Sequence, residues 1–249
     1  MREKPAQRVL GVIPARLAST RLARKVLRVI AGQPMLAWVY EAAARCPELD
    51  SVVVATDSEE VAGVCRERGW PCLMTSVDLV SGSDRVQAVA EQVEAEIYVN
   101  IQGDEPLLRP EHLTRLLLPF RREEVQVSTL RVACKPEDVS NPNVVKVVTG
   151  KDGRALYFSR SAVPFDRDGV HPRYWKHIGI YAYRAAALQR FTCLAPSELE
   201  RVERLEQLRF LENGIPIHIE MTEIDTIGVD TEQDLWEVER LLRAGGVAG

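Results

Sequence analysis

Basic side chains follow the first apolar segment of the chain. Residues 9–13 form a short apolar run that stops at Pro14, and the loop after it carries Arg16, Arg21 and Lys25 with no acid between them. Clustered cations without local acids favour an anionic ligand, and a polyphosphate fits them best. Taken alone, the same stretch could also be a solvated basic loop.

Two carboxylates could complete such a site. Asp104 follows an apolar segment, and Asp230 precedes the last predicted helix. A carboxylate beside a polyphosphate repels it unless a divalent cation lies between them, and Mg²⁺ typically takes one or two protein carboxylates plus phosphate oxygens. Asp104 is therefore predicted to bind a metal, with a turn cap as the alternative. Asp230 could be a second metal ligand or the helix N-cap, a role that Thr231 could also take.

The elements that position these residues alternate between strands and helices. Strands are predicted at 9–13, 51–56, 70–74 and 97–101, and helices at 33–46, up to Gly69 and at 81–94. This alternation predicts an α/β fold with a parallel sheet and helices on both faces. Such sheets bind ligands at the carboxyl ends of their strands, so Arg16 and Asp104 are expected at one edge.

Two helix starts carry further candidates. Ser81, Gly82 and Arg85 belong to a turn that opens a helix, and the free backbone N–H groups of such a turn can contact a base or a phosphate. Plain helix capping explains the turn equally well. Asp57, followed by Glu60, is predicted to be an N-cap rather than a catalytic residue.

The simple alternation ends near residue 126. The Asp152-Gly153 turn predicts a hairpin between strands at 144–149 and 155–159. This change indicates a smaller lobe or a dimerisation flap.

Two later segments carry polar side chains in a regular pattern. In the strand 176–183, alternation puts His177, Gly179, Tyr181 and Tyr183 on one face, which suits a hydroxylated ligand or an ordinary strand with half-exposed tyrosines. A long helix is predicted from 196 to 214. Its buried stripe comprises Leu199, Val202, Leu205, Leu208 and Leu211, beside a polar stripe of Glu200, Glu203 and Gln207 for which a solvated face is the default.

Composition excludes several classes of protein. The formal charge of −4 over 249 residues argues against a general nucleic-acid binder. No apolar stretch is long enough to span a bilayer, and the polar N-terminus does not resemble a secretory signal. The five cysteines are scattered without a CxxC pair, which is typical of reduced thiols in a cytoplasmic protein.

Nine short motifs occur in order and with compatible spacing. They are Ile13-Pro14-Ala15-Arg16-x-x-Ser19-Thr20-Arg21-Leu22, Ala55-Thr56-Asp57, Ser81-Gly82-x-x-Arg85, Asn100-x-Gln102-Gly103-Asp104-Glu105-Pro106, Asn141-Pro142-Asn143-x-Val145-Lys146, Tyr157-Phe158-Ser159-Arg160, His177-x-Gly179-x-Tyr181, Leu205-Glu206-Gln207-Leu208-Arg209 and Gly228-Val229-Asp230-Thr231. Together they resemble the 3-deoxy-manno-octulosonate (Kdo) cytidylyltransferases, or CMP-Kdo synthetases. The resemblance covers about residues 9–242.

The resemblance implies a fold and a reaction. The fold is a single domain over 1–249, Rossmann-like, of the nucleotide-diphospho-sugar transferase type. It has a mixed, mostly parallel sheet with helices on both faces, and about 126–185 form a small sugar-binding and dimerisation lobe. The reaction converts CTP and Kdo into CMP-Kdo and pyrophosphate with Mg²⁺, for lipopolysaccharide biosynthesis in the cytoplasm, by a homodimer.

The resemblance also implies residue roles. Arg16, Lys25, Asp104 and Asp230 are expected to be catalytic, and the two aspartates to hold Mg²⁺. The nucleotide contacts are expected from Pro14, Ala15, Arg16, Ser19, Lys25, Ser81, Gly82, Arg85, Gln102 and Gly103. The sugar contacts are expected from Arg21, Gln102, Arg160, His177, Tyr181, Glu203 and Gln207, with Arg160 facing the sugar carboxylate.

One stretch departs from the family pattern. The family usually has Leu-Pro-Gly-Lys in the phosphate loop, whereas this chain has Leu22-Ala23-Arg24-Lys25. Losing Pro and Gly removes the local turn preference, although Lys25 keeps its spacing. The path of the loop and the role of Arg24 are left open. The segment 165–175 is also shorter than usual.

Rival functions differ in how far they depart from this one. The same transfer could act on 8-amino-Kdo or on a sialic-acid-like keto-sugar acid. A non-catalytic nucleotide-binding protein could share the fold. A nicotinamide dehydrogenase or a P-loop NTPase is disfavoured, because neither GxGxxG after the first strand nor GxxxxGK[ST] is present.

Overall fold

The computed structural model describes residues 8–17, 22–79 and 81–244. The chain divides into two compact units. Unit 1 comprises Met1–Thr114 and Thr226–Gly249, and unit 2 comprises Arg115–Asp225. Within the described ranges, none of the helices combines the length and hydropathy needed to span a bilayer.

The strands and helices follow in chain order. The strands are β1 (Val9–Pro14), β2 (Val29–Ile30), β3 (Gln33–Pro34), β4 (Ser51–Thr56), β5 (Cys72–Met74), β6 (Ile97–Asn100), β7 (Val127–Ala133), β8 (Lys146–Thr149), β9 (Ala155–Ser159), β10 (Trp175–Arg184) and β11 (Ile217–Met221). The α-helices are α1 (Met35–Ala44), α2 (Glu59–Arg68), α3 (Gly82–Ala90), α4 (Pro110–Leu117), α5 (Ala185–Thr192), α6 (Glu198–Glu203), α7 (Leu208–Glu212) and α8 (Glu232–Ala244). Short 3-10 turns cover Lys25–Leu27, Leu118–Arg121 and Pro136–Asp138.

Unit 1 holds a parallel sheet in the order β6-β1-β4-β5. β1, β4 and β6 are apolar on both faces and buried, as central parallel strands require. The predicted β-α-β alternation is therefore confirmed. The predicted helix 33–46 is shorter, because Gln33–Pro34 pairs with Val29–Ile30 as a small hairpin before α1 begins.

The returning C-terminal segment packs into the same unit. A buried cluster joins Leu22, Ile30 and Met35 to Val229 and to Leu235, Val238 and Leu242 of α8. This buried cluster holds the segment that carries Asp230 against residues 22–35, the segment that carries Lys25.

Unit 2 holds a mixed sheet. β11 pairs with β7 in parallel, whereas β7–β10, β10–β8 and β8–β9 are antiparallel. The predicted β8–β9 hairpin is confirmed, and α5 was not predicted. The smaller lobe predicted at about 126–185 lies inside unit 2, and its role stays a prediction.

The predicted long helix from 196 to 214 is wrong. α6 ends at Glu203 and is followed by Arg204, which adopts the left-handed conformation with φ 55°, and α7 begins only at Leu208. The predicted buried stripe also fails at its start, because Leu199 and Val202 are exposed.

Candidate active site

Arg16 lies at the carboxyl edge of the unit 1 sheet. The backbone N–H of Ala15 donates to the carbonyl of Ala55 at 2.9 Å, and the Thr56 hydroxyl donates to the carbonyl of Ala15 at 2.6 Å. These bonds tie the chain leaving β1 at Pro14 to the end of β4. Arg16 therefore starts from a fixed backbone position.

Gly103 explains how the loop after β6 approaches β1. A Cβ atom at Gly103 would lie 2.9 Å from the carbonyl oxygen of Pro14, which is backbone and cannot move aside. Only glycine permits this approach. The next residue, Asp104, accepts a hydrogen bond on its carbonyl from the N–H of Val229 at 2.9 Å, which brings the Asp230 segment alongside.

Lys25 joins the two carboxylates. Its Nζ lies 2.5 Å from Oδ2 of Asp104 and 3.0 Å from Oδ1 of Asp230. Burial acts to lower the pKa of Lys25, but the charge of Asp104 and the hydrogen bonds to both aspartates outweigh it, so the pKa of Lys25 is raised. The ammonium is thus firmly charged.

The start of α8 decides whether Asp230 or Thr231 is the N-cap of that helix. Thr231 accepts a hydrogen bond from the N–H of Asp234 at 3.2 Å, and its own N–H donates to the Asp234 carboxylate at 2.8 Å. Thr231 therefore caps α8. The Asp230 side chain is left to face Lys25.

The aspartate pair fits a divalent cation. Two carboxylate oxygens from distant parts of the chain already converge on one cationic nitrogen. Two protein carboxylates are the number that Mg²⁺ usually takes when phosphate oxygens supply the rest. Among the residues that the structure describes, no group of three or more metal-binding side chains forms an all-protein cage.

Asp57 is not the N-cap that the sequence predicts. Ser58 caps α2, accepting a hydrogen bond from the N–H of Val61 at 3.4 Å. The Asp57 carboxylate instead faces Arg85 at 3.0 Å and Arg16 at 3.9 Å. The prediction missed this because the cap requires only local sequence, whereas the arginine partners come from other segments.

The helix start at Ser81 confirms the capping alternative. Ser81 and Asp84 form a capping box at the beginning of α3, so the Ser81 hydroxyl already serves the helix. Gly82 lies near the buried side chain of Asn100, 3.3 Å from the position of a Cβ atom. Arg85 is fully buried, so its predicted nucleotide contact stays a prediction.

Arg24 adopts a backbone conformation that favours glycine. Arg24 adopts a left-handed conformation, with φ 55° and ψ 32°, directly before Lys25. Its guanidinium forms an ion pair with Glu60. The loop therefore keeps a turn that favours glycine although the glycine is absent.

Two predicted contacts lie outside the described residues. They are Ser19, predicted to bind the nucleotide, and Arg21, predicted to bind the sugar. Gln102 is described and half-buried, and its carbonyl accepts a hydrogen bond from the N–H of Glu105 at 3.2 Å.

Unit 2 brings His177 and Tyr181 together. Their ring centroids are 5.5 Å apart, and Nε2 of His177 lies 3.0 Å from the Thr129 hydroxyl. Burial lowers the pKa of His177 to about 3, so the imidazole is neutral at physiological pH. Burial, with the carboxylate of Glu206 among further causes, raises the pKa of Tyr181, which keeps its phenol protonated.

The predicted two-faced strand around His177 is wrong in part. His177, Tyr181 and Tyr183 are all buried, as are Ile178 and Ile180 on the predicted core face. The pairing of β10 with β7 shifts register between Ile178 and Tyr181, so strict alternation is broken there.

Arg160 and Glu203 contact one another through several atoms. The Glu203 carboxylate accepts hydrogen bonds from the Ser159 hydroxyl at 2.6 Å and from the N–H of Arg160 at 3.0 Å. The Arg160 guanidinium donates to the carbonyls of Glu203, Pro142 and Arg204. Glu203 therefore holds the end of β9, and its predicted sugar contact stays a prediction.

Lys146 and Glu206 belong to the sequence motifs but had no predicted role of their own. Lys146 is fully buried, and its ammonium donates to the carbonyls of Asn141, Val144 and Arg160 at 2.9, 2.6 and 2.6 Å. Burial lowers the pKa of this lysine. The charge of Glu206 contributes to the raised pKa of Tyr181. Its neighbour Gln207, a predicted sugar contact, is buried. Sequence patterns favour a solvated role for both types of residue, so their spacing alone does not single them out.

A parallel α/β sheet with cations and paired carboxylates at its carboxyl edge defines a nucleotidyltransferase-like protein. Comparison with known proteins gives the family. Residues 10–222 match the family model described as cytidylyltransferase. The chain belongs to the cytidylyltransferase family.

Individual relatives agree with this assignment. The chain is 60% identical over 235 residues to a 3-deoxy-manno-octulosonate cytidylyltransferase of Acidobacterium capsulatum, covering 94% of this chain and 96% of that protein. It is 57% identical over 249 residues to one of Koribacter versatilis, covering 97% and 95%. A solved structure of CMP:2-keto-3-deoxy-manno-octonic acid synthetase complexed with CTP superposes with a TM-score of 0.92 at 41% identity, covering 96% of this chain and 99% of that one. The predicted fold is confirmed.

Proposed function

We propose that this chain transfers CMP from CTP to the anomeric hydroxyl of Kdo, giving CMP-Kdo and pyrophosphate. Relatives up to 60% identical carry the name of this activity, and the solved structure at 41% identity is complexed with CTP. The product would feed lipopolysaccharide biosynthesis in the cytoplasm.

The observation that carries the proposal is the convergence on Lys25. Its ammonium meets the carboxylates of Asp104 and Asp230 at 2.5 and 3.0 Å, at the edge where Arg16 also emerges. A triphosphate needs cations for its charge and carboxylates for its metal ion, and unit 1 supplies both.

The reaction is an in-line attack of the sugar hydroxyl on the α-phosphorus. The bond from oxygen to phosphorus forms as the bond to the leaving pyrophosphate breaks, and the hydroxyl proton leaves to solvent. Little covalent chemistry falls to the protein in such a transfer, so orientation and charge stabilisation account for most of the catalysis. Arg16 and Lys25 would neutralise the leaving pyrophosphate.

Asp104 and Asp230 would hold Mg²⁺. When bound, the ion polarises the α-phosphate and lowers the pKa of the attacking hydroxyl. Lys25 offsets part of the negative charge of the two carboxylates. If a divalent cation took over these carboxylates, the Lys25 ammonium would be available to pair with phosphate.

Unit 2 would bind the sugar acid. Neutral His177 and protonated Tyr181 offer hydrogen bonds without charge, which suits sugar hydroxyls. Arg160 uses three guanidinium N–H groups on backbone carbonyls. Since a guanidinium has five such donors, two are left for the sugar carboxylate. Gln207 completes the proposed contacts of unit 2. Gln102 belongs to unit 1, and its sugar contact stays a prediction.

The proposed assembly is a homodimer. Exposed apolar side chains in unit 2 support it, since Phe165 is 85% and Val170 is 75% exposed. Apolar groups of this size on a surface favour a partner. Light scattering at micromolar concentration would give about 56 kDa for a dimer of this 27.9 kDa chain. A mass near that of one chain would contradict the dimer.

The test of function is pyrophosphate release from CTP and Mg²⁺. Kdo, 8-amino-Kdo and sialic acid would be offered in parallel, with CTP alone as the background. Release with Kdo alone is expected. Release with another acid alone would keep the nucleotide chemistry and replace the proposed sugar. Binding of CTP without release in any arm would contradict catalysis.

A further inference from the structure

Asp57 lies between two arginines of unit 1. Its Oδ2 is 3.0 Å from Nη2 of Arg85 and 3.9 Å from Nε of Arg16. Ser58 caps the neighbouring helix, so α2 does not need this carboxylate as its N-cap. Of the two arginines, Arg16 is the one that follows β1 at the carboxyl edge of the sheet.

Arg85 makes the position of Asp57 rigid. Its guanidinium is fully buried, and Nη1 donates to the Thr75 hydroxyl. The N–H and hydroxyl of Thr75 donate in turn to the carbonyl of Thr56 at 2.8 and 3.1 Å. Arg85 is therefore fixed to the ends of β4 and β5, and it fixes the carboxylate of Asp57.

The charges of this group suit an anion site. A carboxylate near the triphosphate site opposes binding of the triphosphate, but the buried cation of Arg85 compensates its charge. Asp57 can then orient a second cation without making the edge negative. Arg16 is 36% exposed at its side chain, so its guanidinium can reach a ligand at this edge of the sheet.

We propose that Asp57, held by Arg85, is a positioning residue that orients the guanidinium of Arg16 toward the triphosphate of CTP. This inference rests on the proposed function, because it takes Arg16 as a phosphate contact. In this role Asp57 would act through Arg16 and not by contacting the nucleotide or the reacting atoms.

The direction in which Asp57→Asn changes the affinity for CTP separates an orienting role from a simple charge effect. Asp57→Asn removes an anion, which by charge alone would tighten binding of a triphosphate. Loss of orientation would weaken it instead. Calorimetric binding is expected to show a Kd for CTP raised about tenfold, with the Kd for CMP changed much less, as for loss of one charge-assisted contact.

A double-mutant cycle with Arg16→Lys tests the route of the effect. If Asp57 acts through the Arg16 guanidinium, Asp57→Asn should cost less than about twofold in the Arg16→Lys background. Asp50→Asn is the matched control, since Asp50 accepts a bond from the N–H of Val9 at 2.7 Å away from this group. That control should leave CTP binding unchanged.

Two results would overturn the proposal. One is unchanged or tighter CTP binding in Asp57→Asn, and the other is an equal loss with and without the Arg16 guanidinium. If Asp57→Asn fails to fold, as thermal melting would reveal, Asp57→Glu keeps the charge, displaces it and should give the same CTP-specific loss. CTP binding without pyrophosphate release contradicts the proposed function alone, because the binding cycle still decides the role of Asp57.

Discussion

Lys25 and Asp104 are joined by a 2.5 Å hydrogen bond from Nζ to Oδ2, and Asp230 meets the same nitrogen at 3.0 Å. The two aspartates lie 79 and 205 positions from Lys25 along the chain. Their meeting therefore depends on the whole of unit 1 rather than on any local motif. The single positive charge of Lys25 between the two carboxylates offsets part of their mutual repulsion.

Replacing the cation tests this arrangement. Lys25→Met should lower the free energy of unfolding by about 1–3 kcal/mol without Mg²⁺, because two partly buried carboxylates lose their shared partner. Added Mg²⁺ should raise the melting temperature of Lys25→Met more than that of the unmodified chain. The double variant Lys25→Met/Asp104→Asn is the control and should lose this extra response. An equal Mg²⁺ response in all three proteins would contradict a divalent site on the two aspartates.

Arg24 allows a test of the phosphate-loop turn. Its φ of 55° is a conformation that side chains other than glycine adopt at a cost. Both Arg24→Gly and Arg24→Ala lose the ion pair with Glu60. We expect Arg24→Gly to be more stable than Arg24→Ala by about 1 kcal/mol in urea unfolding, the reverse of the order found at ordinary positions. Equal stabilities, or a more stable alanine variant, would show that the turn relaxes.

The Glu203 carboxylate supports the end of β9 by accepting three hydrogen bonds, from Tyr157, Ser159 and Arg160. Glu203→Ala leaves the buried Ser159 hydroxyl and the N–H of Arg160 without their acceptor. The free energy of unfolding should therefore fall by about 2 kcal/mol. Glu198→Ala, on the exposed side of the same helix, should change it by less than about 0.5 kcal/mol. Unchanged stability with a raised KM for the sugar would instead make Glu203 a direct sugar contact.

His177 predicts a pH dependence of stability. Burial lowers its pKa to about 3 in the folded chain, whereas the unfolded chain binds a proton near pH 6.5. Between these two pH values the unfolded state therefore binds more protons than the folded state. The stability that neutral His177 provides above pH 6.5 is lost as the pH falls toward 3. This group should lower the free energy of unfolding by about 1.4 kcal/mol per pH unit in that window.

The free energy of unfolding would be measured with urea at pH 7.5, 6 and 5. His177→Gln should lose the part of its dependence on pH that His177 contributes. His171 is the matched control, because its side chain is 93% exposed. His171→Gln should keep the full slope. A slope that His177→Gln leaves unchanged would show that His177 titrates normally.

The parts of the fold that could be predicted were those specified locally. β1, β4 and β6 are runs of buried apolar residues, and such runs determine parallel strands without further information. Gly69 likewise ends α2 in the left-handed conformation that glycine favours. Asp104 was predicted as a metal ligand because it follows an apolar strand, whereas its pairing with Asp230 came from the family resemblance and not from spacing.

The parts that failed depend on tertiary partners. α6 stops at Glu203 because Arg160, from another segment, takes the carbonyls of Glu203 and Arg204. Asp57 was predicted to be a helix cap, but its carboxylate contacts an arginine because Arg85 is buried beside it. The faces of β10 change where its register shifts against β7. Periodicity describes one element at a time, so it contains none of these partners.

Turnover of Asp104→Asn and Asp230→Asn tests the central claim most directly. Pyrophosphate release from CTP and Kdo would be measured at saturating Mg²⁺, with circular dichroism as the check of the fold. We expect kcat to fall at least about 100-fold in each variant with the fold intact, because each removes a carboxylate from the metal site. Near-normal turnover in either folded variant would contradict the assignment of that aspartate to the metal, and with it the proposed catalysis by a metal ion held between two carboxylates.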